Sequence, residues 1–369
     1  MKTECEHCTI LNMPPLIIIQ RFQWVVCQLD MLRKCMSLAT VRKVLMTGLP
    51  RGLDATYEQI LLGIDEGYQT EVMKTLQALT VAKYPLKIEE IVEILAVDLD
   101  SEPPRFDPDS RLLDPQSILS MCSSLVTGSR ETIGRFGIPT LSLRLAHASV
   151  ADYLTSSKSN GASLFYFSRH SARQFMAQIC LVYLLNPEFV HQSHRALRKP
   201  KLKAFPFLSH AYKSWPLYLT KEAGDPEDYL MDRTKILLQT FFATSKLPNG
   251  GNFAFWVRTL NPSAPDDFVQ STQPLYYAAS FGLTEVVRII LETEKDIDID
   301  ALGGRVRSSA LHVATYRNHY DVVKMLLERG ANPSLPNNRH EIPLYWARDG
   351  IEELLRQYGA DGERGDAII

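Results

Sequence analysis

The chain has 369 residues, of which 45% are hydrophobic and 22% charged, a balance typical of folded globular protein and not of a disordered tail. Its formal net charge of −2 gives no overall pull towards nucleic acid or an anionic membrane, and no run approaches the ~18 apolar residues of a membrane span. Six irregularly spaced cysteines argue against a disulfide framework and for a reducing, cytoplasmic setting.

Residues 1–20 have no helical period and read as an unstructured leader. The apolar Leu16–Ile19 follows Pro14 and Pro15 without a basic lead-in, unlike a signal peptide. From Arg21 a helical segment runs to residue 67. Val25, Leu29, Leu32 and Met36 form one apolar stripe, Ala39 to Met46 a short helix, and Asp54 caps a third helix carrying Tyr57, Ile60, Leu61 and Ile64. Residues 68–160 place Val72, Leu76 and Leu79 on one helix and Ile88, Ile91, Val92 and Leu95 on the next. An exposed Asp- and Pro-rich loop, Asp98 to Asp114, follows, and Asp114-Pro115 opens the helix of Ile118, Met121 and Cys122.

Leu141, Leu143 and Leu145 then alternate with Ser142 and Arg144 as a half-buried strand, paired through a hairpin at Gly137 with a strand near Leu125 to Thr127. Beyond His147 the period becomes helical, with Val150, Tyr153 and Leu154 on one face and Ser149 placed as the cap. Helices followed by a two-stranded wing describe a winged-helix domain.

Residues 161–262 are a helical connector. Phe175, Ile179 and Val182 line one helix; Asp225-Pro226 opens another, carrying Leu230, Leu237, Leu238 and Phe241. Residues 263–361 repeat. QPLYYAASFGLTEVVRIILE, SALHVATYRNHYDVVKMLLERGAN and IPLYWARDGIEELLRQYGAD align at Pro274, Ala310 and Pro343, spaced 36 and 33 residues apart and close to the ~33-residue ankyrin period. Leu275, Leu311 and Leu344 start the inner helices, and Ala278, Ala314 and Ala347 allow close packing. In the third copy Glu352 and Arg356 replace Val323 and Leu327, the polar face of a terminal cap. Residues 362–369 form a tail. The fold class is therefore mainly α: helical segment, winged helix, connector and three ankyrin repeats.

The stretches FQWVVCQLDMLRKC (Phe22 to Cys35), LPRGLDATYEQIL (Leu49 to Leu61) and LRLAHASVADYL (Leu143 to Leu154), together with the repeats, resemble the region downstream of the nucleotide-binding core in fungal NACHT-ankyrin proteins of the STAND class. The resemblance implies a signalling protein whose ATPase core would precede Phe22. The dipeptide Gly-Lys of a phosphate loop does not occur, so ATPase activity is not carried over, and a truncated gene product or a misplaced start is expected. A Gly-x-Ser-x-Gly elbow, which a lipase-type hydrolase would need, is also missing.

No residue set builds a catalytic site, and no cofactor, metal or small-molecule substrate is expected. His147 resembles a STAND histidine that touches nucleotide phosphate, but a strand-end histidine bonded to local backbone accounts for it. Ser149 beside it lacks an orienting acid. Cys5 and Cys8 supply half of a zinc ligand set. Arg195, Arg198, Lys199, Lys201 and Lys203 form a basic loop outside the wing, the one feature favouring a nucleic-acid-binding winged helix; a solvated loop is the simpler reading. The partner-binding candidates are Tyr277, Phe281, Val313, Arg317 and Trp346, an aromatic and cationic strip along the inner helices. The expectation is a non-enzymatic interaction and regulatory fragment with a protein partner, no nucleic acid and no membrane; a non-functional remnant is the further alternative.

Overall fold

A computed structural model describes residues 24–29, 32–33, 35–47, 52–133, 138–156, 163–190, 204–220, 229–294, 296–304, 306–348 and 350–362. The chain is mainly helical and divides into two compact units, Met1–Leu95 with Arg111–Ala172, and Ala96–Ser110 with Arg173–Ile369. The leader, the basic loop around Arg195 to Lys203, the Asp225-Pro226 helix start and the tail from residue 363 lie outside the described residues.

In the first unit, residues 24–29 are helical, but Val25 (43% exposed), Leu29 (50%) and Met36 (100%) face outward. Cys27 and Gln28 are buried instead, and Gln28 Nε2 donates to Thr56 Oγ1 at 2.9 Å. The apolar stripe read from spacing is thus not the buried face; a polar side chain with a fixed partner occupies it. Helix α1 is Leu38–Thr47 and α2 is Leu53–Leu62. Gly52, not Asp54, is the N-cap of α2, and Asp54 sits in the first turn, where a carboxylate favours the helix dipole. Tyr57, Ile60 and Leu61 of α2 are buried as the spacing requires.

Helix α3 (Gln69–Val81) buries Val72, Thr75, Leu76 and Ala78. Strand β1 (Leu86–Lys87) leads into α4 (Ile88–Leu95). The chain then leaves this unit: β2 (Val97–Asp98) pairs antiparallel with β3 (Arg105–Phe106), and both belong to the second unit. The acidic stretch is therefore no plain linker. Phe106 packs edge-on against Tyr183 with centroids 4.7 Å apart, and Leu99 is buried.

Back in the first unit come α5 (Ser117–Cys122), β4 (Val126–Ile133), β5 (Ile138–Leu145) and α6 (Ala148–Thr155). The sheet has three strands, order β1-β5-β4, one more than the two-stranded wing expected from sequence; Leu86 pairs with Leu143. Buried Glu93 is held by Arg111 through two hydrogen bonds, the arrangement a buried carboxylate requires. The N-cap of α6 is His147, not Ser149: its Nδ1 accepts from Ser149 N–H at 3.1 Å. Ser149 Oγ bridges His147 Nδ1 (2.7 Å) and the buried Tyr57 hydroxyl (2.9 Å), tying α6 to α2. Desolvation pushes the Tyr57 hydroxyl up to about 12.

The second unit is built on aromatic side chains. Helices α7 (Arg169–Leu184), α8 (Leu208–Leu219), α9 (Asp232–Ala243) and α10 (Gly251–Leu260) precede the short α11 (Asp266–Ser271). Trp215, Phe241, Phe253 and Trp256 pack in tilted and edge-to-face pairs 5.2–6.0 Å apart. Trp256 Nε1 donates to Tyr212 O at 2.8 Å, and Asn252 Nδ2 donates to Leu184 O at 2.8 Å. Leu237, Leu238 and Phe241 of α9 are buried, as their spacing implies.

His210 is enclosed in this unit, its Nε2 hydrogen-bonded to Tyr218 Oη at 2.8 Å. Desolvation, with Lys213 adding to it, lowers its pKa from 6.5 to about 4. The unfolded chain therefore binds the extra proton first. Stability from this group is full above pH 6.5 and is lost as pH falls from 6.5 through about 4, an effect on the order of 3 kcal/mol. His312 and His319 are shifted in the same direction by burial. Nuclear magnetic resonance titration should show His210 neutral down to about pH 4, with the unfolding midpoint falling over the same interval; titration near 6.5 would contradict it.

The repeats are three helix pairs: α12 (Pro274–Ser280) with α13 (Thr284–Thr293), α14 (Ala310–Tyr316) with α15 (Tyr320–Glu328), and a 3-10 turn (Pro343–Trp346) with α16 (Gly350–Gln357). Leu275, Leu311, Leu344, Ala278, Ala314 and Ala347 are all buried, so the inner register read from sequence holds. Gly282 (φ +68°) joins the first pair, and a Cβ there would meet the His319 ring of the next repeat at 2.6 Å. In α16, Arg356 pairs with Glu352 at 3.1 Å on the polar outer face.

Candidate protein-interaction surface

The strip proposed from sequence divides in two. Tyr277 is only 7% exposed, and its hydroxyl accepts from Asn261 Nδ2 at 2.9 Å. Its ring lies edge-on to Trp256 with centroids 4.9 Å apart, and Phe281 lies 6.2 Å from Trp256. Burial pushes the Tyr277 hydroxyl well above its ordinary value. Tyr277 therefore belongs to the seam between the repeats and α10, not to an exposed strip, and Phe281 is half-buried beside it. Spacing alone could not show this, because the covering residues precede the repeats in sequence.

The other end of the strip is open. Val313, Tyr316 and Trp346 line a recess of about 240 Å³ together with Tyr276 and Val306. Val313 is buried as its floor, Trp346 is half-buried, and Tyr316 is 53% exposed. The Tyr316 and Trp346 rings meet edge to face at 5.2 Å, and Tyr345 packs on Trp346 at 4.9 Å. Tyr316 is absent from the sequence-derived set; its place at the last position of α14, facing the third repeat, is what brings it to Trp346.

The recess is held by its hydrogen bonds. His312 Nδ1 lies 3.2 Å from Ser309 N–H and 2.8 Å from Ser309 Oγ, while Nε2 lies 3.0 Å from Glu341 O. This pattern requires a neutral imidazole with Nδ1 accepting and Nε2 donating, in accord with its lowered pKa. The hairpin Gly303–Ser308 forms one edge, and Asn338 N–H donates to Val306 O at 3.0 Å to join it to the next hairpin. Gly304 has φ +73°, and a Cβ there would strike the Tyr276 hydroxyl at 2.2 Å; only glycine admits this approach. Arg339 lines the recess and, like Arg317 at the end of α14, is exposed; neither forms a salt bridge with another described residue.

Among the described residues, no cluster of three or more His, Cys, Asp or Glu could hold a metal ion, and Cys122 and Cys180 are buried thiols whose pKa values burial raises. Cys5 and Cys8 lie outside the described residues. Among the described helices, none is long and apolar enough to cross a membrane.

Residues 249–337 match the ankyrin-repeat family in three copies. The C-terminal region is an ankyrin-repeat array. The match opens at α10 and ends before the Pro343 turn. The azaphilone pigments biosynthesis cluster protein L of Monascus ruber is 32% identical over 306 residues, covering 77% of this chain and 60% of that protein. Alpha-latrocrustotoxin-Lt1a of Latrodectus tredecimguttatus is 27% identical over 146 residues, 38% of this chain and 10% of the toxin. The human neurogenic locus notch homolog protein 1 is 37% identical over 77 residues, 21% of this chain and 3% of that protein. The chain thus spans about 60% of the length of the fungal relative and much less of the other two. Ankyrin repeats are a protein-interaction fold.

Proposed function

We propose that the chain is a cytoplasmic, non-enzymatic interaction and regulatory region of a NACHT-ankyrin signalling protein, binding a protein partner through the open end of its repeats. The observation that carries this is the recess floored by Val313 and walled by Tyr276, Tyr316, Trp346 and the exposed Arg339, with Arg317 near Tyr276. Exposed aromatic and arginine side chains around a desolvated floor are the usual anchors of protein interfaces. The STAND context rests on the sequence resemblance and on the element order of the first unit, α3-β1-α4-α5-β4-β5, which is the order a winged helix calls for. The similarity to a protein named for a pigment biosynthesis cluster supports a fungal setting for that role. The helices of the second unit ahead of the repeats, α10 above all, act as the support on which the array stands.

The test is capture of a protein from native extract by the full chain and by Trp346→Ala. Retention by the wild type with loss of about tenfold or more in affinity for the variant is expected, as for an interface anchor. Equal binding by both proteins would remove the recess from the function.

A further inference from the structure

We infer that the recess takes an acidic peptide segment of another protein, one apolar side chain entering over Val313 beside the paired Tyr316 and Trp346 rings while flanking carboxylates meet the arginines nearby. This rests on the interaction reading above and specifies its partner's chemistry. The recess has room for about one large side chain; Tyr276, Val306, Val313, Tyr316 and Trp346 give it aromatic and aliphatic surface, beside polar Ser308, His312 and Asn337 and charged Arg339 and Glu341. Its edges are cationic. Arg339 lines the recess and Arg317 acts on the Tyr276 hydroxyl at its wall; both are exposed, and among the described residues neither forms a salt bridge.

The neighbouring acid does not neutralise them. Glu341 is the acidic residue lining the recess, and its Oε2 accepts from Asn337 Nδ2 at 2.9 Å. Asn337 Oδ1 in turn accepts from Arg339 N–H at 2.8 Å and Glu341 N–H at 3.1 Å, so the hairpin fixes the carboxylate in place and leaves the guanidiniums to a ligand. Arg317 also stands close enough to Tyr276 to oppose the rise of its hydroxyl pKa, which places positive charge at the recess mouth. Planar guanidiniums pair with carboxylates through two parallel hydrogen bonds, and steering by such a rim speeds encounter with an acidic partner. A nucleic-acid strand fits less well. The Trp346 ring is already engaged by both Tyr316 and Tyr345, which leaves less of it for a base to stack on.

The experiment uses the full chain and four fluorescein-labelled probes: a peptide with one Phe between runs of Asp, the same peptide with Lys for Asp, the Asp peptide with Ala for Phe, and oligothymidylate. Anisotropy should show the Asp-Phe peptide binding best, weakening with added salt. Affinity should fall about tenfold on Arg317→Glu with Arg339→Glu, which should then bind the Lys peptide instead. That reversal requires a folded protein, so misfolding cannot imitate it. Tyr316→Ala should lower affinity for the Asp-Phe peptide and leave the weak binding of the Ala peptide unchanged.

The proposal is overturned if the Lys peptide binds the wild type as well as the Asp peptide, or if charge reversal leaves the Asp peptide unaffected. Tighter binding of oligothymidylate, lost on the same reversal, would assign the recess to nucleic acid. If a captured protein depends on Trp346 but is not displaced by the Asp-Phe peptide, the acidic class is wrong and the interaction reading stands. Capture indifferent to Trp346→Ala sinks the interaction reading itself.

Discussion

Trp256→Ala is expected to lower the stability of the second unit by about 3–5 kcal/mol, the cost of deleting a fully buried aromatic side chain. Trp256 has no exposed surface and touches the rings of Trp215, Phe241, Phe253, Tyr277 and Phe281. Its indole N–H also holds Tyr212 O, so the substitution leaves a buried carbonyl without that donor. Because Tyr277 and Phe281 begin the repeats, the loss should reach the array as well as the connector. Denaturant unfolding followed by fluorescence would measure it. Trp346→Ala, half-exposed in its recess, should cost far less. Equal costs for the two tryptophans would contradict the assignment of one to the core and the other to the surface.

Residues 263–369 expressed alone are expected to unfold at lower temperature than the full chain and with reduced cooperativity. Three repeats are about the minimum that stacks a continuous core, and the first repeat has its inner face covered from outside the fragment. Phe253 and Trp256 of α10 lie against Tyr277, and Asn261 donates to the Tyr277 hydroxyl. Helix α9 packs beside α13. Cutting at residue 263 strips these contacts and exposes Tyr277, Phe281 and one side of α13. Thermal unfolding by circular dichroism decides it; a soluble, cooperative monomer as stable as the full chain would refute the dependence.

The repeats were legible because each copy needs the same small residue where helices cross and the same leucine at the start of the inner helix. Ala278, Ala314 and Ala347 carry that signal without reference to anything distant. The exposure of the proposed strip was half legible for the opposite reason. Tyr277 and Trp346 hold equivalent repeat positions, yet one is covered by α10 and the other faces the recess, and only the partner elements distinguish them. The excursion β2–β3 is not legible in the sequence because its Asp and Pro residues mark a turn equally well in a solvated loop. Only the burial of Leu99 and the contact of Phe106 with Tyr183 show that it is part of a core. At α6, a histidine does what a serine usually does at an N-cap, since its Nδ1 reaches the Ser149 N–H, while Ser149 turns to Tyr57. Propensity favours the serine; the tertiary bond to a residue 92 positions away decides otherwise.

The claim that the open end of the repeats is the binding face is tested most directly by comparing the affinity of a captured protein for the full chain carrying Trp346→Ala, Arg317→Ala or Tyr358→Ala. Tyr358 is a comparably exposed aromatic residue just beyond the last helix and outside the recess, which makes it the control. Expected is a loss of about tenfold or more for Trp346→Ala, a smaller loss with a weaker salt dependence for Arg317→Ala, and no change for Tyr358→Ala. Affinity unchanged by both Trp346→Ala and Arg317→Ala, or lost only with Tyr358→Ala, would contradict it.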